Sequence, residues 1–126
     1  MSPKAIKITG WVLSGLLALL FAYSAGMKLM ANDQTLKMAS DMGFDGSTFK
    51  TLGIVELLSV VLFFIPRTGV VGALLLMAYM GGAIATHVQH HLAVPPNLLI
   101  ETLIWIAAAL RFPELAQRLF RGIPME

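Results

Sequence analysis

The sequence predicts an all-α fold: an integral membrane four-helix bundle with a short amphipathic outer segment and a C-terminal surface helix. Three observations carry this. The 126-residue chain is 57% hydrophobic and only 13% charged, and its mean hydropathy is +0.78; both lie well outside the range of soluble globular domains. Its charges divide the apolar sequence into four runs. Residues 8–27 hold no charge between Lys7 and Lys28, and 51–66 hold only Glu56 between Lys50 and Arg67. Residues 68–86 hold none between Arg67 and His87, and 92–110 hold only Glu101 between His91 and Arg111. A spanning helix needs roughly 20 apolar residues, with a lower limit of about 17. The second run reaches that length once Thr48 to Lys50 extend it. The expected spans are 7–30, 48–66, 68–88 and 96–112, forming one membrane domain over 1–126 with no room for a soluble catalytic module.

The first run is bounded by lysines and is longer than the roughly 7 to 15 apolar residues of a signal peptide, so it is expected to be retained despite the small-residue pattern at Ala22-Tyr23-Ser24. Asn32 to Ser47 follows as the most polar stretch. There Leu36, Met38, Ala39, Met42 and Phe44 alternate with Asp33, Lys37, Asp41 and Asp45 at helical spacing, which predicts a short amphipathic helix capped by Asn32 or Asp33 and ended by Gly43 and Gly46. It reads as a solvated connection or as a lid over an outward-facing opening. Pro66-Arg67-Thr68 turns the chain between spans two and three, and Pro95-Pro96-Asn97 restarts it as span four. After Pro113, residues 114–121 place Leu115, Leu119 and Phe120 against Arg118 and Arg121, the pattern of a surface helix facing anionic headgroups.

With an even number of spans, Lys4, Lys7, Arg67, Arg111, Arg118 and Arg121 fall on one side and Lys28, Lys37 and Lys50 on the other. The positive-inside rule then predicts cytoplasmic termini in an inner, cytoplasmic-type membrane. The basic residues are dispersed rather than clustered, which excludes a nucleic-acid footprint. With no cysteine, disulfide scaffolds and dithiol relays are excluded. Ala18, Ala22 and Gly26, with Gly81/Ala85 and Gly82/Thr86, form small-residue ladders suited to close helix packing in lipid. The eight methionines read as adaptable filler, since Met27, Met30, Met38 and Met42 share no coordination spacing.

Each span carries one ionisable residue, and topology brings all four to the outer half of the bilayer. Lys28 ends span one and His87 ends span three. Glu56 lies eight residues, about 12 Å, into span two, and Glu101 about 8 Å into span four. Ser24 shares a face with Lys28, Tyr79 with His87, and Trp105 with Glu101. A charge in hydrocarbon costs on the order of 2.5 to 3.5 kcal/mol even on the mildest insertion scale, so such groups turn inward and pair. Ser24, Lys28, Glu56, Tyr79, His87, Glu101 and Trp105 are therefore the candidate ligand- or partner-binding residues. The competing reading is an ionic core that fixes helix register, with Lys28 reaching to the interface. His87 and His91, four apart, are compatible with a metal, but no third ligand is fixed by the sequence and no metal is assigned.

Three segments resemble the DoxX-like family of small four-span membrane proteins: FAYSAGMKLM at 21–30, GIVELLSVVLFFIP at 53–66 and GALLLMAYMGGAIATHV at 72–88. Ser24, Gly26, Lys28, Glu56 and His87 match the family pattern, whereas Glu101 rests on its depth alone. The resemblance implies a membrane bundle whose relatives range from subunits associated with thiosulfate and quinone oxidation to complexes of oxidative-stress defence and a receptor-assembly chaperone. Two functions stay open. One is a non-catalytic accessory or chaperone-like module that binds a partner helix or a lipophilic ligand; it suits a chain with no nucleophile motif or phosphate loop. The other is a quinone-associated subunit of a membrane oxidoreductase, with quinone as cofactor, His87 or Lys28 bonding a carbonyl and Glu56 relaying a proton. The partners expected are the bilayer, a membrane protein or lipophilic small molecule, and a second copy of this chain.

Overall fold

Each expected helix has a local cause in the computed structural model, which describes residues 2–30 and 32–120. Helix α1 spans Pro3–Met30 and α2 spans Asp33–Asp41. The Asn32 side chain caps α2 by accepting a hydrogen bond from the Thr35 amide at 2.8 Å, satisfying one of the free donors of the first turn. Gly43 then adopts the left-handed conformation, with φ of 81°, that ends a helix at little cost to glycine. Asp45 caps α3, Gly46–Phe64, by accepting from the Thr48 amide at 2.7 Å. That bond favours the ionised form and holds the Asp45 carboxyl below its ordinary range. The cap is therefore at full strength above the ordinary carboxylate range and is lost as pH falls through the lowered value.

Pro66–Thr68 forms one 3-10 turn, held by a Thr68 hydroxyl that donates to the Leu62 carbonyl at 2.9 Å. Helix α4, Gly69–Gln89, follows, and α5, Pro95–Arg111, starts on a proline at its first position, where no amide donor is required. Helix α6 covers Pro113–Phe120. Arg121, assigned from sequence to the surface helix and to the cytoplasmic charge set, lies outside the described residues.

The four long helices pack in a ring, α1 on α3, α3 on α4, α4 on α5 and α5 back on α1. The short α2 rests on α1 and α3, and α6 on α5. Phe21 of α1, Val60 and Phe63 of α3, Leu76 of α4 and Ile104 of α5 fill the centre. Large apolar side chains also point outward on every long helix, Leu19 (72% exposed), Leu58 (60%), Leu74 (51%) and Leu99 (60%) among them. A soluble bundle would turn a polar face to solvent, so an apolar exterior around an apolar core is the signature of a chain that sits in lipid. Helix α1, helix α3 and the segment Pro66–Gln89 are long and apolar enough to cross a membrane. With 17 residues, α5 rises about 25 Å and sits at the lower limit for a span.

Helices α3 and α4 approach closely at Gly72, where a built Cβ would overlap the backbone of Phe63 and Leu62. Gly81 on the same helix has nothing within 4 Å. Gly72→Ala is expected to cost about 1 to 3 kcal/mol through overpacking, while Gly81→Ala stays within about 0.5 kcal/mol of the parent. Thermal unfolding of the two variants in detergent measures the difference; equal melting would place the close approach elsewhere.

Candidate functional site

At the end of the bundle where α1 and α4 finish and α3 and α5 begin, one carboxylate organises its neighbours. Glu56 is buried, with its side chain 2% exposed beside a Lys28 side chain at 14%. Three donors converge on its Oε1. Lys28 Nζ lies at 2.9 Å, the Ser24 hydroxyl at 3.3 Å and the Tyr79 hydroxyl at 3.2 Å. Lys28 also donates to Ser24 Oγ at 2.7 Å, one turn back on the same helix, as i,i+4 spacing requires. The ammonium lies 5.5 Å from the Phe49 ring centroid and 5.9 Å from that of Tyr79, within reach of cation–π attraction. A buried carboxylate is tolerable when paired and bonded in this way, and Oε1 is saturated. No described residue donates to Oε2.

The pair forms because α1 and α3 approach closely at Gly53. A Cβ there would lie 2.8 Å from Lys28 Cβ and 3.2 Å from the Ala25 carbonyl. The Gly53-x-x-Glu56 spacing therefore sets the approach at one position and puts the carboxylate on the adjoining turn.

Above this cluster opens a cavity of about 430 Å³ lined by Ser24, Lys28, Glu56, Tyr79 and His87 together with apolar side chains. Met38 of α2, Met42 just beyond it and Phe44 also line it. Phe44 stacks on Phe49 with centroids 6.4 Å apart and planes at 25°, an aromatic wall of offset geometry. His87 Nδ1 lies 2.7 Å from the Ala83 carbonyl. Because that oxygen can only accept, Nδ1 is the donor, and in the neutral imidazole Nε2 is then the acceptor. A second cavity of about 330 Å³ adjoins the first, sharing Met38, Met42, His87 and Asn97 with it and lying against the α4–α5 connection.

Five of the seven residues singled out from sequence thus meet at one cavity: Ser24, Lys28, Glu56, Tyr79 and His87. Glu101 and Trp105 are not among its lining residues. Glu101 Oε1 is buried without a hydrogen-bond partner among the described residues, and Trp105 is 41% exposed on the outside of α5. His90 bonds the Thr86 carbonyl at 3.0 Å and packs on Gly43, and no cluster of three metal-ligating side chains occurs among the described residues. Phe49 and Asn97 belong to the cavity without having been singled out. Phe49 reads as another apolar residue of a span and Asn97 as part of a turn, and nothing local marks either as facing inward.

A second buried charge sits at the opposite end. Arg111 is 3% exposed and lies 4.0 Å from the Trp11 ring centroid, 4.9 Å from Phe63 and 4.7 Å from Phe112. Among the described residues its side chain hydrogen-bonds only Ser14 Oγ, at 3.2 Å. The planar guanidinium is suited to such a cage in a way an ammonium is not. Sequence reading treats this residue only as a boundary charge.

An apolar-faced helical bundle with a partly enclosed polar-based cavity defines a small integral membrane protein. The DoxX-like family profile matches residues 12–110, so the chain belongs to that family. No curated protein and no solved structure matches it.

Glu56→Ala strands the Lys28 ammonium in the bundle and is expected to cost about 3 to 5 kcal/mol, the scale of a broken buried pair. Glu56→Gln keeps an oxygen for the same three donors and should cost distinctly less. Melting of both variants at the parent temperature in detergent would show that the carboxylate carries no buried partner.

Proposed function

We propose that the protein is a non-catalytic accessory module of the membrane, a single four-span domain that holds a small lipophilic molecule in the cavity above Glu56. The observation that carries this reading is the asymmetry of the carboxylate. One oxygen collects Lys28, Ser24 and Tyr79, while the other is uncommitted at the floor of an aromatic and aliphatic cavity of about 430 Å³. A group whose only task was to fix helix register would be expected to engage both oxygens. Ligand sites are concave, mostly apolar and carry a few convergent polar groups, as this one does.

A lipophilic molecule is favoured over a partner helix because a cavity of about 430 Å³, lined in part by Met38 of α2, Met42 and Phe44, has the size of a small-molecule site. The six-to-three division of basic residues supports cytoplasmic termini in an inner membrane, which puts the cavity in the outer half. The alternative of a quinone-associated oxidoreductase subunit draws support from Lys28, whose ammonium has a hydrogen beyond those given to Ser24 and Glu56 and could donate to a carbonyl.

Extraction of detergent-purified protein followed by mass spectrometry tests the ligand reading. A lipophilic small molecule at near-stoichiometric yield is expected from the parent, and its loss from a Met42→Trp variant that fills the cavity without touching Glu56. A stoichiometric protein partner with no small molecule would favour the chaperone-like reading instead. For topology, reporters fused after Arg121 and inserted between Asp41 and Thr48 are expected on opposite sides of the membrane; the same side for both would break the four-span arrangement.

A further inference from the structure

The hydrogen-bonding groups left open around the cavity select among lipophilic ligands. Resting on the ligand-binding reading above, we infer that the site takes an amphiphile whose head is a phenolic hydroxyl, such as a hydroquinone, in preference to the corresponding quinone. Two free acceptors belong to residues lining the cavity. One is Glu56 Oε2, since the three donors all go to Oε1. The other is Nε2 of the neutral His87 imidazole, since Nδ1 donates to the Ala83 carbonyl at 2.7 Å. Against these stand two donors, the remaining ammonium hydrogen of Lys28 and the side-chain amide of Asn97, which lines the cavity with its Nδ2 buried and without a partner among the described residues.

A hydroxyl satisfies this set and a carbonyl does not. The O–H donates to Glu56 Oε2 or His87 Nε2, and its oxygen accepts from Lys28. A second hydroxyl across a ring supplies a donor for the acceptor that the first leaves open. A quinone carries only acceptors, so it meets Lys28 and Asn97 but leaves both protein acceptors dry. Leaving a buried polar group unmatched costs its desolvation penalty, which is larger than the gain from one bond made. Discrimination of this kind is strong because it arises from the site's own unpaired groups rather than from shape.

The walls favour an aromatic head over an aliphatic one. Phe44 and Phe49 are stacked, and both line the cavity with Tyr79. A ring there gains offset or edge contacts that an alkyl alcohol lacks. Met38 and Met42 add adaptable surface where the tail of such a molecule would pass; both also line the adjoining cavity of about 330 Å³.

The test uses the full chain in detergent, held anaerobic, with three probes of equal tail length: 2-decylhydroquinone, 2-decyl-1,4-benzoquinone and 1-decanol. Calorimetric titration is expected to give the hydroquinone a Kd lower than the quinone's by at least about tenfold, the effect of even one of the two unmatched acceptors, with decanol weaker than the hydroquinone. In Glu56→Gln the amide brings a donor to the position of the free oxygen, so the preference should shrink or invert. Retention of the full preference in that variant would overturn the assignment of Glu56 as the acceptor. Quinone binding as tightly as hydroquinone would overturn the inference and leave the ligand-binding reading standing, as would decanol binding best. Failure of all three probes to bind the parent would overturn both.

Discussion

The Lys28–Glu56 pair is the interaction on which the rest of the structure turns. In hydrocarbon neither charge can be left alone, so the two helices that carry them must meet, in one register, at one depth. Gly53 makes the approach sterically available, and Lys28 reaches Oε1 at 2.9 Å. With α1 and α3 fixed in this way, Tyr79 of α4 is drawn to the same oxygen, so three of the four long helices are tied at one end. The opposite end is held differently, by a guanidinium seated among Trp11, Phe63 and Phe112. Between the two lies an apolar core that supplies packing but little directional information.

That division of labour explains why a cavity persists in so small a bundle. Polar ties at the ends set helix spacing, and large side chains such as Phe21, Phe63, Leu76 and Ile104 fill the middle. Around the Lys28–Glu56 group the bundle leaves a cavity of about 430 Å³, to whose lining Met38 of α2 and Phe44 contribute. Glu56 Oε2 has no donor among the described residues, and Glu56 lines that space; under the proposed ligand binding, that free oxygen has a role.

Much of this is legible in the sequence because charges in apolar runs are few and topology orders them. Lys28 at the end of one run, Glu56 eight residues into the next and His87 at the end of the third converge from antiparallel connectivity alone, and Ser24 follows from i,i+4 spacing. Depth, however, says nothing about rotation around a helix axis. Helix α5 turns Ile104, Ala107 and Ala108 to the bundle, and Glu101, three residues before Ile104, lies beside that face with Oε1 buried yet outside the cavity lining. Trp105, one residue beyond Ile104 and so about 100° away, is thereby carried to the outside. The face of α5 is chosen by small residues meeting α1 and α4, a non-local outcome. Arg111 is illegible for the same reason, since its cage is assembled from Trp11, Phe63 and Phe112, drawn from distant parts of the chain. The caps of α2 and α3 illustrate the opposite case, because Asn32 and Asp45 act on amides three residues away.

The central claim is that Lys28 and Glu56 are energetically one unit inside the membrane domain, and a double-mutant cycle measures it most directly. Lys28→Met, Glu56→Leu and the combined variant are unfolded thermally in one detergent, and the coupling is taken from the departure from additivity. Each single variant strands a charge and should melt well below the parent. The combined variant, with neither charge, is predicted to recover most or all of that loss, as buried pairs replaced by apolar residues commonly do, giving a coupling of about 1 to 3 kcal/mol. Additive losses, with the combined variant the least stable of the three, would contradict the account.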